Sequence, residues 1–157
     1  MTEICAISNP QERAELCDRI LRALPDWFGI ERYIAEYVQN AREQPLFAAF
    51  YNHQAVGFVS LKLHNKYTAE ILSMGVLREY HRHGFGKQLI LACEQYGREH
   101  GLRFITVKTL DETAKVACYD KTRQFYLSAG FLPLEVLPDV WTEGDPCLLL
   151  VKCIDGQ

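Results

Sequence analysis

Two hydrophobic periods take turns along this chain, and their order predicts its architecture. A short apolar run, Ile4-Cys5-Ala6-Ile7, reads as an opening strand and is punctuated by Asn9-Pro10. From Gln11 to Leu24 the apolar positions Ala14, Leu16/Cys17, Ile20/Leu21 and Leu24 recur at helical spacing, with Pro10 well placed near the helix start. Pro25-Asp26-Trp27-Phe28-Gly29 breaks that pattern, and Glu31 to Arg42 resumes it through Tyr33, Ile34, Tyr37, Val38 and Ala41. The period then changes. Leu46–Tyr51 and Ala55–Leu63 read as a hairpin turning at Asn52-His53, and Ala69–Val76 as a buried strand. Gly75 inside that strand predicts a bulge or a close backbone approach. Leu89, Ile90, Cys93 and Tyr96/Gly97 mark a helix over 87–100 that stops at Gly101. Phe104–Thr109 is a strand and Ala117–Ala129 a helix. Phe131–Leu137 and Cys147–Ile154 close the pattern, joined by a loop holding Trp141, Gly144 and Pro146.

Strands and helices arranged around one sheet predict a three-layer α/β (α+β) domain, with six to seven strands and about four helices. The unit strand 69–76, helix 87–100, strand 103–109 is expected to be a parallel crossover, right-handed like others of its kind. A chain of 157 residues suits one domain spanning 1–157, large enough for a real core.

The net charge of −3, without a basic tail or stripe, argues against general nucleic-acid binding. No apolar run is long enough to span a bilayer, so no membrane partner is expected. The six cysteines form no Cys-x-x-Cys pair, and without a signal peptide they point to the reducing cytoplasm and free thiols. His81 and His83 lie two apart in a turn with no carboxylate at ligand spacing, so no metal site is expected. The oligomeric state, a homodimer included, stays open.

The candidate chemistry sits in Val76-Leu77-Arg78-Glu79-Tyr80-His81-Arg82-His83-Gly84-Phe85-Gly86-Lys87-Gln88-Leu89, a strand end, a basic turn with two glycines and the opening of a helix. Backbone N–H groups at such a helix start point toward an anion, and the helix dipole adds to the attraction. The dinucleotide fingerprint needs a third glycine where Leu89 stands, and a P-loop needs glycine at position 81 and Ser or Thr at 88, which are His81 and Gln88. Both nucleotide patterns fail.

What remains, His81-Arg82-His83-Gly84-Phe85-Gly86, resembles the acyl-CoA turn of the GCN5-related N-acetyltransferases (the GNAT family), whose first position is usually Gln or Arg. The later run Thr122-Arg123-Gln124-Phe125-Tyr126-Leu127-Ser128-Ala129-Gly130-Phe131 is similar to that family's second motif, with Tyr119 and Thr122 where Asn and Ala are frequent. The resemblance covers roughly residues 46 to 153 and implies a GNAT-like mixed sheet whose two parallel strands splay to admit acetyl-CoA as co-substrate. It implies cofactor contacts from Met74, Gly75, Val76, His81, Arg82, His83, Gly84, Phe85, Gly86, Lys87 and Tyr119, with an oxyanion donor among the backbone N–H groups of Met74–Val76. It also implies Tyr126 as the proton donor to the leaving thiolate and Glu70 as the base, with Asp111, Glu112 and Asp120 as alternative carboxylates. Trp27, Phe28 and Trp141 are the favoured acceptor-pocket residues, ahead of Tyr33 and Tyr37, which share helical spacing and are more often core. The expected activity is transfer of acetyl to a primary amine, a small molecule in the favoured reading, by direct attack in a ternary complex. A non-catalytic acyl-CoA sensor, or an acceptor amine borne by protein or tRNA, stands beside it.

Overall fold

A computed structural model of the chain describes residues 2–141 and 144–155; positions 142 and 143 of the predicted late loop lie outside the described residues. The element order is β1 (Thr2–Ala6), α1 (Pro10–Arg22), α2 (Glu31–Glu43), β2 (Leu46–Tyr51), β3 (Gln54–Leu63), β4 (Thr68–Val76), α3 (Phe85–Glu99), β5 (Phe104–Leu110), α4 (Ala117–Ser128), β6 (Leu132–Leu137) and β7 (Cys147–Cys153). The strands form one mixed sheet in the order β1-β2-β3-β4-β5-β7-β6, antiparallel throughout except for the β4–β5 pair. Helices α1 and α2 pack on one face, and α3 with Tyr126 of α4 on the other, giving the expected three layers.

Local sequence explains the joints. The Asn9 side chain accepts a hydrogen bond from the Glu12 N–H at 3.0 Å, and Pro10 occupies the first turn, so α1 starts where orphan donors are satisfied. Its face of Leu16, Cys17, Ile20 and Leu21 buries against Leu46, Ala48 and Phe58. Val59, next to Phe58 on β3, belongs to the opposite core with Leu89, Ile90 and Cys93 of α3, as the two-residue strand period requires. Each fully buried Leu or Ile side chain contributes about 1.5–3 kcal/mol.

Two features of β4 shape the site. Its pairing with β3 jumps from Ser60↔Ser73 to Leu61↔Ile71, which leaves Leu72 as an extra residue. This bulge resets the alternation. Ahead of it Glu70 and Leu72 face the α2 side; after it Ser73 lies beside Cys17 of α1 and Gly75 meets α1 directly. A Cβ on Gly75 would stand 2.9 Å from Leu24 Cδ1 and 3.2 Å from Ile20 Cγ2, so this glycine serves the close approach and the bulge lies three residues earlier. The second feature is a gap. The β4–β5 ladder ends at Ile71↔Val107, while β5 runs on against β7 as far as Leu110↔Cys147. From Leu72 to Val76, β4 has no strand partner on that side among the described residues, which is the splay the family resemblance implies.

Helix α3 begins at Phe85, two residues before the expected start, because Gly84 at φ +83° turns the chain directly into it. No helix among the described residues is long and apolar enough to cross a membrane. All six cysteines carry free thiols.

Candidate active site

The turn between β4 and α3 is built from backbone. Arg82 and Gly84 both take positive φ, +65° and +83°, and flank His83 in a concavity of the kind that holds anions. Among the described residues no side chain caps α3, and its first i to i−4 bond runs from Gln88 N–H to Gly84 O at 3.1 Å. The N–H groups of Phe85, Gly86 and Lys87 precede that bond and are directed out of the helix start. Arg82, His83, Gly84 and Lys87 are exposed around it. The Phe85 ring is buried against Tyr80 and Tyr51, so its backbone alone can serve a ligand. Gly86 lies inside the first helical turn, where a Cβ would stand 2.8 Å from Cε1 of Phe125 on α4.

His81 differs from its expected role as an anion donor. Its Nε2–H donates to Val76 O at 2.6 Å, so the ring ties the turn to the end of β4. Val76 O therefore faces the gap. Leu77 N–H bonds Val56 O on β3 at 2.8 Å, and strand alternation then turns the N–H groups of Val76 and Met74 toward the gap. The N–H of Gly75, expected with them, is turned toward β3.

On the α2 side the mouth of the gap opens into a cleft of about 520 Å³ lined by Arg32, Tyr33, Glu36, Tyr37, Glu70, Leu72, Lys108, Val140 and Trp141. Glu70 is its buried carboxylate, 5% exposed. Its Oε1 accepts from His64 Nε2 at 2.6 Å and from Lys108 Nζ at 3.4 Å. Lys108 stands just past the last β4–β5 pair, where the gap begins. Burial, with the Glu70 charge second, pushes the Tyr37 hydroxyl up to about 12, so it remains a neutral donor. The alternative carboxylates are committed elsewhere. Asp111 accepts from Thr113 N–H and Oγ1, which hold it below the usual carboxylate range. Asp120 pairs with Arg123, whose Nη1 donates to Leu110 O at 2.6 Å. Glu112 belongs to the short helical turn 112–114, outside the cleft lining.

Tyr126 is buried beneath the gap, T-stacked on Phe125 and Phe131, and its hydroxyl reaches Met74 Sδ at 3.9 Å. Burial drives its hydroxyl well above the ordinary phenol value. Tyr119 donates its hydroxyl to Trp27 O at 2.8 Å, and Trp27 Nε1 donates to Thr122 Oγ1 at 3.1 Å. The Trp27 ring also meets His81 edge-on at 5.9 Å and lies under Arg78, itself paired with Asp26. Trp27 thus bridges the glycine turn and α4, and Phe28 packs on Tyr37 at 6.1 Å; neither lines this cleft. Of the three aromatic residues favoured from sequence, Trp141 alone does. Tyr33 and Tyr37, set behind them as core, take that place because α2 turns this face to the sheet edge at the gap. Lys108 and His64 escaped the sequence reading. A lone lysine in the apolar strand Phe104–Leu110 was the only signal for the first, and nothing in the turn marked the second.

An acyl-CoA fits this frame. The turn offers convergent N–H groups, Gly86 lets α4 pack its Phe125 ring against the helix start, and the unpaired edge of β4 offers backbone groups along the gap. Three comparisons bear on it. No curated protein matches the sequence. In fold the chain is similar to Ard1 from Thermoplasma volcanium (19% identity, TM-score 0.77, covering 98% of this chain and 97% of that one). It is similar also to an aminoglycoside 6'-N-acetyltransferase complexed with coenzyme A (19%, 0.76, 99% and 98%). A third such structure is the ribosomal-protein-S18-alanine N-acetyltransferase from Escherichia coli (15%, 0.78, 100% and 96%). Residues 9–131, a span that takes in the turn, the gap and α4, match the profile of the acetyltransferase (GNAT) family, and the chain belongs to that family of acetyl-CoA-dependent transferases.

Proposed function

We propose that this enzyme acetylates a small primary amine, which attacks directly in a ternary complex with acetyl-CoA. The observation that carries the reading is Glu70, a buried carboxylate in an aromatic cleft of mixed charge at the mouth of the β4–β5 gap. A protonated amine near Tyr37 and Trp141 gains cation–π attraction there, the Tyr33 ring already carrying Arg32 at 5.1 Å, and Glu36 and Glu70 balance the two cations of the lining, Arg32 and Lys108. Related folds serve both kinds of acceptor, an aminoglycoside in one and a ribosomal protein's alanine in another. The cleft volume and its cover by Val140 and Trp141 favour the small one.

Acetyl-CoA supplies a thioester carbonyl and a thiolate leaving group. Glu70 takes the ammonium proton, since an alkylammonium of pKa about 10 has no lone pair to attack with. The N–H groups of Met74 and Val76 face the developing oxyanion from the edge of β4. Tyr126, kept protonated by its burial, gives its proton to the departing sulfur and regains one from the newly acylated nitrogen, the second proton that the amine loses. The exposed N–H groups of the turn, with Arg82, His83 and Lys87, hold the diphosphate.

The test is thiol release from acetyl-CoA over a panel of tyramine, spermidine, kanamycin and an alanine-initiated peptide. Turnover with a small amine is expected, and Glu70→Gln should lower kcat on the order of a hundredfold or more. Coenzyme A binding without turnover on any acceptor would establish the sensor reading instead; turnover on the peptide alone would move the acceptor to protein.

A further inference from the structure

We infer that His64 is a positioning residue for the base, the group that fixes how the Glu70 carboxylate is presented to the amine. This rests on Glu70 being the base. The ring comes from the β3–β4 turn, which is closed by the His64 N–H to Thr68 O at 3.0 Å and by Asn65 Oδ1 accepting from Tyr67 and Thr68 N–H at 2.8 and 3.1 Å. A turn held at both ends delivers a side chain to a set position. That position is 2.6 Å from Glu70 Oε1, the same oxygen that faces Lys108 Nζ at 3.4 Å. Both donors therefore sit on one oxygen, and Oε2 carries neither. The carboxylate is anchored through Oε1 and takes the ammonium proton on Oε2.

A carboxylate bonded at that distance requires the imidazole to carry its proton on Nε2. The ring stays in that form through the cycle: one proton passes from the amine nitrogen to Oε2 and leaves to solvent after product release, while His64 and Lys108 keep theirs. The other titratable groups around Glu70 are Tyr37 from α2 and Cys147 from β7, with Arg32 and Glu36 across the cleft. Tyr37 and Cys147, pushed up to about 12 and about 11, are neutral at physiological pH, so the imidazole and the ammonium are the anchors. His64 is partly exposed, with 36% of its side chain accessible, so substituting it leaves the core intact.

The experiment has two arms. In steady-state kinetics with the best amine of the panel, His64→Ala is expected to lose kcat on the order of tenfold to a hundredfold, the worth of one hydrogen bond to a charged group, with KM for acetyl-CoA unchanged. His64→Gln, which returns an N–H donor near Nε2, should recover most of the loss; coenzyme A calorimetry on each variant checks the fold. In the second arm, long-range ¹⁵N–¹H spectra of the wild type should show His64 as the Nε2–H form, and Glu70→Ala should release it to a tautomer mixture. That arm needs no acceptor. A kcat unchanged in His64→Ala, no recovery in His64→Gln, or a wild-type ring found as Nδ1–H or as a mixture would each overturn the inference. Loss of activity in Glu70→Gln alongside an unaffected His64→Ala would sink only this inference, whereas an unaffected Glu70→Gln would sink the base assignment itself.

Discussion

Replacing Gly86 with alanine tests the joint between the anion turn and α4. The new Cβ would lie 2.8 and 2.9 Å from Cε1 and Cζ of Phe125, where ordinary carbon contacts need about 3.5 Å or more. Either the ring or the helix start must give by about 0.7 Å. Overpacking of this kind costs about 1–3 kcal/mol, and alanine's better helix propensity returns up to about 1 kcal/mol. Phe125 is only half-buried and can yield, so a net stability loss near the low end, about 1 kcal/mol, is expected. Ligand binding should suffer more. A displaced helix start misdirects N–H groups toward the diphosphate, and one lost hydrogen bond to a charged group costs about 1.5–3 kcal/mol. Calorimetry with coenzyme A should show Kd raised on the order of tenfold to a hundredfold, and urea unfolding only the smaller stability loss. The double variant with Phe125→Ala separates strain from chemistry, because it removes the atoms in conflict. Its affinity should return close to that of Phe125→Ala alone. Unchanged binding in Gly86→Ala, or a double variant no better than the single, would refute the reasoning.

Two further outcomes concern stability. Burial raises the Cys17 thiol from 9.0 to about 12, so folding favours its protonated form; the associated stability is complete below pH 9 and is lost as pH climbs toward 12. In urea unfolding, the advantage of wild type over Cys17→Ala should shrink by about 1.4 kcal/mol between pH 8 and pH 10, and parallel curves would contradict this. Lys152 donates to Glu94 Oε2 at 2.9 Å and to Ala129 O at 2.6 Å, while Glu94 is 4% exposed. Lys152→Met should cost about 3 kcal/mol by stranding that carboxylate, with Glu94→Leu restoring most of it in the double variant; a loss below about 1 kcal/mol would show that Arg98, at 3.2 Å, suffices alone.

The element order was legible because each buried face repeats its own period, as the α1 stripe and the Phe58/Val59 alternation illustrate. The β4–α3 turn was legible because glycine there answers backbone needs, a positive φ at Gly84 and a missing Cβ at Gly86. What lines the cleft was not legible in the same way. Tyr37 and Trp27 are both aromatic and partly covered, and composition cannot tell which faces a cleft; that depends on where α2 and the segment after α1 settle against the sheet. Gly75 was legible as a close backbone approach, the space of its missing Cβ being taken by Leu24 and Ile20, while the bulge it also suggested lies at Leu72. His64 was invisible because its partner is six residues away across a turn, a distance no periodic pattern encodes.

The unpaired Leu72 makes β4 unusual in what it tolerates. A single strand here presents an acid to one layer and hydrogen-bonding backbone to the slot beside it. Point changes at Leu72 leave that phase intact. Losing Leu72 itself would let β4 pair with β3 as a regular pleat, with Met74 still toward α3 and Gly75 still toward α1. The bulge therefore absorbs one residue of length without moving any neighbouring side chain to the other layer.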